Sequence, residues 1–171
     1  MAATLLRLLM TTRAAPRYSS RSLPLAAFVP GISKRADRPT TAPTRPTAVD
    51  LDALATHDDF RYGVDLFNHG FPWEAHEAWE PLWFAAPRER PERALLQGLI
   101  HAAAAVVKAK AGANDAARGL ADSACTYLSR TTTAILDVPA FIATLTAWAE
   151  DPGRPAPPII LVSPTPPREP V

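Results

Sequence analysis

The sequence predicts an all-α fold: a single compact bundle of about five helices with extended, Pro-rich termini. Three observations carry this. Apolar residues recur at helical spacing from Asp58 to Trp148, with no alternating strand of useful length. Six of the 19 prolines precede Asp50 and eight follow Glu150, leaving the middle of the chain open to long helices. The breaks between the periodic stretches are only a few residues long, which makes successive helices antiparallel neighbours.

The elements follow in order. A first helix fits Asp58–His69, with Phe60, Val64 and Phe67 on one face and Gly70 at its stop. A second runs from Pro72 to about Phe84. Proline suits the first helical position, where the missing N–H is not needed. Pro81, inside this helix, removes the bond to the Glu77 carbonyl and predicts a kink. A third helix runs from Pro91 to Ala111 and ends at Gly112. A fourth starts at an Asn114 cap and reaches about Leu136. A fifth starts at an Asp137 cap and carries Phe141, Leu145 and Trp148. Residues 50–150 form the helical domain, and residues 151–171 form a Pro-rich tail. In that tail Ile159-Ile160-Leu161-Val162 is expected to lie extended against the core, and Pro164, Pro166 and Pro167 favour polyproline II.

Charge divides the 171-residue chain. The net +1 conceals +7 over residues 1–48, with eight basic groups and one acid, and −6 over the remainder, with ten basic groups and sixteen acids. Residues 1–49 read as a basic extension and Pro-rich linker, disordered or targeting. The first 36 residues have no acid, scattered Arg, and a short apolar start at Leu5–Met10, the composition of an organellar transit peptide. A start codon set too far upstream gives the same composition. The expected location is therefore cytoplasmic, with an organelle reached through an N-terminal transit peptide as the alternative.

Several classes are excluded. Cys125 is the only cysteine, so no internal disulfide framework or cysteine-based zinc finger exists. No stretch has the roughly 18 consecutive apolar residues of a membrane span. An acidic helical domain lacks the basic face that phosphate binding needs, so no nucleic-acid partner is expected.

The helix from Pro72 is unusual. Ala75, Ala78, Trp79 and Leu82 make an ordinary core stripe. The opposite face carries Trp73, His76, Glu77, Glu80, Trp83 and Phe84, where a solvated face would be plainly polar. This face is either covered or a binding surface. His76 and Glu80, four residues apart, are neighbours on it. A carboxylate beside an imidazole can fix its tautomer, raise its pKa or share a metal with it. The pair can equally be a buried hydrogen-bonded link between helices.

The helix from Pro91 is apolar over most of its circumference, which marks it as central. Its narrow polar stripe holds Arg93, Gln97, His101 and Lys108. The stripe is either a solvent edge or the partner of the His76/Glu80 face. In the second case His76, Glu80, Gln97 and His101 form one polar cluster, and Gly98 permits close helix approach.

Tyr62-Gly63-Val64-Asp65-Leu66-Phe67-Asn68-His69-Gly70, then Phe71-Pro72-Trp73-Glu74-Ala75-His76-Glu77-Ala78-Trp79-Glu80-Pro81-Leu82-Trp83, and later Leu95-Leu96-Gln97-Gly98-Leu99-Ile100-His101 resemble the domain-of-unknown-function 309 family. Asn114, Ala116-Ala117 and Leu120 fit as well, and the resemblance runs from about Phe60 to Leu128. It implies an all-α bundle and no settled activity. It also places the family's motif on Phe67, Asn68, Gly70, Glu74, His76, Glu77, Glu80, Trp83, Gln97 and Gly98. His101 stands where the family commonly has Gln, and Lys108 where it often has His. A protonated lysine is no metal ligand, so Lys108 argues against a fixed two-histidine metal site.

Other motifs fit poorly. His76-Glu77-Ala78-Trp79-Glu80 imitates a zincin, but Glu replaces the second His. The paired Glu-x-x-His of a ferritin-like site is missing, as is G-x-S-x-G. Cys125 sits within the fourth helix among small and apolar residues, as a packing cysteine does.

The site residues expected from the sequence are Asn68, Trp73, Glu74, His76, Glu77, Glu80, Trp83, Gln97 and His101, with His76 and Glu80 as candidate metal ligands. The first functional expectation is a small helical binding or interaction module for a small ligand, a divalent metal or a protein partner. The alternatives are metal-assisted or general acid–base hydrolysis at His76/Glu80, and a purely structural motif. A homodimer is a candidate assembly because of the aromatic face.

Overall fold

Six helices occur in the computed structural model, which describes residues 15–33 and 50–162. They are α1 (Leu51–Thr56), α2 (Asp58–Asn68), α3 (Pro72–Ala85), α4 (Pro91–Lys110), α5 (Asn114–Leu128) and α6 (Val138–Ala149). Among the described residues there is no strand beyond one isolated antiparallel bridge, Leu136 to Leu161. The N-terminal apolar start, the linker prolines Pro39, Pro43 and Pro46, and Pro164, Pro166 and Pro167 lie outside the described residues.

Four of the five expected helices match to within a residue or so. Helix α5 stops at Leu128, eight residues before the expected Leu136. Arg130 and Thr131 N–H groups turn back to the carbonyls of Tyr127 and Leu128. Three successive threonines then follow, and β-branched side chains lose rotamer freedom in a helix. Asn114 is the first residue of α5 and makes no side-chain cap. Asp137 does cap α6, accepting from Ala140 N at 3.0 Å. The additional helix, α1, starts at an Asp50 cap that accepts from Ala53 N at 2.7 Å. Helix α3 continues through Pro81 to Ala85. Gly70 and Gly112 take φ of +89° and +75° just past α2 and α4. There they let Phe71 N reach Leu66 O at 2.9 Å and Ala113 N reach Lys108 O at 2.9 Å, closing both helix ends.

Helix α4 is the centre, packed between α3 and α5 and touching α1. Its residues Leu95, Leu96, Leu99, Ala102, Ala103 and Ala105 are completely buried. Helix α5 presents Ala117, Ala121 and Ala124, small residues that allow close approach, and the larger Leu128. Gly98 fits this seam: a Cβ there would lie 2.6 Å from Leu128 Cγ and 3.2 Å from the Ala124 carbonyl. A second tight fit joins α2 to α3. Trp79 is fully buried and donates its indole N–H to Phe60 O at 3.1 Å. It lies against Gly63, where a Cβ would come within 2.2 Å of Trp79 Nε1.

Residues 15–33 belong to the stretch read from the sequence as an extension outside the fold. They run instead without regular structure across α2 and α3, half-buried at Tyr18, Ser19 and Leu23. The physical reason is Asp65 on α2, which is 0% exposed. Its carboxylate accepts from Tyr18 N at 2.7 Å, Ser19 N at 2.9 Å and Ser19 Oγ at 2.7 Å, and pairs with Arg17 Nε at 3.0 Å. The C-terminal run lies extended against the core as expected. Ile159 is fully buried, and its N–H and C=O are both held by the Asn68 side chain at 2.8 Å. Tyr18 joins the two ends of the chain, its hydroxyl accepting from Leu161 N at 3.0 Å.

Two predictions follow from this packing. Gly63→Ala is expected to destabilise by about 1–3 kcal/mol, the cost of overpacking a filled core. Gly98→Ala should cost less: alanine regains helix propensity at both positions, but the Cβ clash is milder at Gly98, 2.6 Å from the Leu128 side chain against 2.2 Å from the fully buried Trp79 ring; urea unfolding of both variants orders them. The second concerns Asp65. Burial raises its pKa, but the hydrogen bonds from Ser19, Tyr18 and Arg17 outweigh burial and hold it below 3.8. Its stabilising contribution is therefore present above the ordinary carboxylate value and lost as pH falls through the lower folded value. Asp65→Asn should cost about 1–3 kcal/mol at neutral pH. The gap from wild type should close as pH is lowered from about 5 to 2 in denaturant melts.

Candidate functional site

The outer face of α3 and the polar stripe of α4 meet. Trp83 donates its indole N–H to Gln97 Oε1 at 2.9 Å. Because an indole N–H only donates, this bond fixes the Gln97 amide with its NH₂ free to donate elsewhere. Arg93 lies over the Trp83 ring at 4.2 Å and donates to the carbonyls of Trp83 at 3.0 Å and Ala86 at 2.9 Å. It thereby satisfies carbonyls at the end of α3, a helix with no glycine cap. Glu80, Trp83, Gln97 and Ile100 line a cleft of about 50 Å³ between the two helices. That holds a few water molecules or a small polar group, well below the roughly 300 Å³ of a drug-sized site.

His76 and His101 do not line this cleft; they lie one helical turn from Glu80 on α3 and from Gln97 on α4. His76 stacks on Trp73, with ring centres 5.6 Å apart and planes at 27°. His101 meets Tyr127 of α5 edge to face at 5.0 Å. The Nδ1 atoms of both imidazoles are buried without a hydrogen-bond partner. A proton on Nδ1 would be buried without an acceptor, so the fold favours the Nε2–H tautomer in both rings. Burial, and then the proximity of His76, lower the pKa of His101.

The expected site residues divide into three groups. Glu80, Trp83 and Gln97 line the cleft, while His76 and His101 lie outside its lining and close enough for His76 to act on the charge of His101. No hydrogen bond joins His76 to Glu80, so the direct link between α3 and α4 here is Trp83–Gln97 together with Arg93. Trp73 and Glu74 point toward the N-terminal segment: Phe28 packs edge to face on Trp73 at 5.5 Å, and Phe28 N donates to Glu74 Oε1 at 2.8 Å. Asn68 is elsewhere, spent on Ile159. Glu77 is half-buried and engaged. Among the described residues no three His, Cys, Asp or Glu side chains come together as a metal-holding group. His76 and Glu80 thus supply two candidate ligands without a third.

Sequence reasoning missed Arg93 as the cap of α3 and Asp65 as an anchor. Arg93 had been seen only as part of the α4 stripe. Asp65 carried a signal, since it lies between Val64 and Leu66 in a stretch that is buried from Gly63 to Phe67. A charge there demands a partner.

The fold is that of a small all-helical protein with a narrow cleft between α3 and α4. Among the described residues no helix is long and apolar enough to cross a membrane. Residues 60–120 match the family described as "Domain of unknown function (DUF309)". The resemblance read from the motifs is borne out over those residues, which span α2 to the first half of α5. No curated protein and no solved structure matches the chain.

The electrostatics of His101 give a third prediction. A histidine with a lowered folded pKa contributes stability that is complete above its ordinary value of about 6.5 and is lost as pH falls below it. His101→Gln should remove part of the wild-type decline in melting temperature below about pH 6.5, leaving a flatter profile for the variant.

Proposed function

We propose that the protein is a small binding module whose α3–α4 cleft takes a compact polar group. The observation that carries this reading is the set of unspent polar groups around one small opening. Among the described residues Glu80 makes no hydrogen bond, the Gln97 NH₂ is free by virtue of the Trp83 bond, and a turn away on each helix an imidazole holds a buried, unpartnered Nδ1. Buried polar atoms in a native fold are normally satisfied, so orphaned ones beside a cleft point to a bound group or ordered water. A ligand that donates to Glu80 and accepts from Gln97 fits, as an amide-sized group does. The volume favours a small molecule or one side chain of a partner over a large substrate.

The test uses acetamide, methylammonium and acetate as probes. Acetamide and methylammonium are expected to shift the Trp83 indole and Gln97 side-chain amide resonances, with acetate silent because Glu80 repels it. Glu80→Ala should abolish those shifts while changing stability by no more than about 0.5 kcal/mol, as for a side chain without a structural bond. Silence of all three probes, or shifts that persist in Glu80→Ala, overturns the reading. Parallel melts of His76→Ala and Glu80→Ala with Zn²⁺, Mn²⁺ and Fe²⁺ examine the other two expectations. Strong destabilisation of both variants without a metal effect supports a structural motif. Metal-dependent stabilisation of wild type, lost in both, supports metal binding.

A further inference from the structure

We infer that Phe28 and Glu74 are positioning residues for His76, so that the N-terminal segment orients an imidazole one helical turn from the α3–α4 cleft. This rests on the preceding reading of the cleft for its functional meaning, and on separate geometry for its existence. Trp73 lies in the first turn of α3, on the side away from the buried Ala75 and Trp79. Within the helix its ring neighbour is His76, three residues on. Its other ring neighbour is Phe28, which meets it edge to face with planes at 73°. Aromatic pairs prefer this geometry, so Phe28 restricts the plane of Trp73. Trp73 in turn sets the plane of His76 through the stack.

Phe28 is itself fixed on both sides. Its N–H is held by Glu74 Oε1, one residue along from Trp73. After it, Val29 O accepts from Ile32 N and Ser33 N at 3.0 Å, and Ser33 Oγ accepts from Val29 N at 2.7 Å. Gly31 at φ +80° permits this turn. Before it, the segment is anchored at Asp65, and by Arg21, which reaches Asp59 at 2.6 Å and lies over Tyr62 at 3.8 Å. Tyr62 also donates to Ser22 O at 3.0 Å. The segment is therefore tied down through Ser22 and again at Phe28, and Phe28, which acts on His76 through Trp73, lies outside residues 60–120.

The experiment reads the His76 ring protons by NMR in the full-length protein. Stacking on an indole face shifts these protons upfield. Phe28→Ala is expected to move them downfield, toward an unstacked imidazole, and Phe28→Tyr to restore them. Leu25→Ala, at a fully exposed position of the same segment, should leave them unmoved. Should Phe28→Ala fail to fold, Phe28→Leu keeps apolar bulk without a ring edge and is read in the same way. Unchanged His76 resonances in the folded Phe28 variant, or an equal shift in Leu25→Ala, overturn the inference. No ligand is needed for this readout, so it stands or falls separately from the acetamide test.

Discussion

Asp65 imposes the constraint around which the two ends of the chain are arranged. A carboxylate with no exposure, in the middle of an otherwise apolar helix face, carries a desolvation cost of several kcal/mol unless it is paired and hydrogen-bonded. Helix α2 cannot meet that need, because its own N–H groups are committed to the helix. The partners come from residues 17–19: two backbone N–H groups, a hydroxyl and a guanidinium converge on the two oxygens. Once these residues are fixed, Tyr18 is fixed with them. Its hydroxyl then meets Leu161 N, while Asn68, one turn beyond Asp65, clamps Ile159. One buried charge thus recruits the N-terminal segment directly and the C-terminal run through its neighbours.

The same logic explains what the sequence revealed. Helices with a proline at their first position and a glycine or an Asp cap at a boundary were legible, because these signals are local. Pro72, Gly70, Pro91, Gly112 and Asp137 each sit where backbone chemistry requires. The end of α5 was not legible from apolar spacing, which continues weakly through Ile135 and Leu136. Those two are buried in the structure as extended chain, with Leu136 bridged to Leu161 and Ile135 O accepting from Val162 N. Helix α1 escaped notice because six residues are too few for periodicity to register. Its position depends on a distant group, the buried Glu92, which accepts from Leu51 N at 3.0 Å.

For the site, periodicity placed Trp83 and Glu80 on one helix face and Gln97 and His101 on another. It could not say whether the two faces meet. Their meeting is seen in the Trp83–Gln97 bond and the Arg93–Trp83 contact, which join residues ten or more positions apart and so lie beyond the reach of periodicity. The contribution of Phe28 was still less accessible, since it arises from a segment more than forty residues earlier. Nothing in the local pattern of Ala-Phe-Val-Pro-Gly ties it to Trp73.

The cleft and the imidazole a turn away from it are consequently held by different means. At the cleft, Trp83 is restrained through its N–H by Gln97 and through its ring and carbonyl by Arg93. All three residues lie within the matched region and on adjacent helices, so this wall forms when α3 docks on α4. A turn away, His76 takes its orientation from Trp73, which leans on Phe28 from outside the bundle. A wall that is rigid before binding lowers the ordering cost that a ligand must meet. The Trp83 side of the cleft has that property from the helix packing alone, whereas in the proposed arrangement the orientation of His76 depends on the seated N-terminal segment. Since seating depends on Asp65 keeping its charge and partners, the helix that anchors the segment also governs how well His76 is prepared.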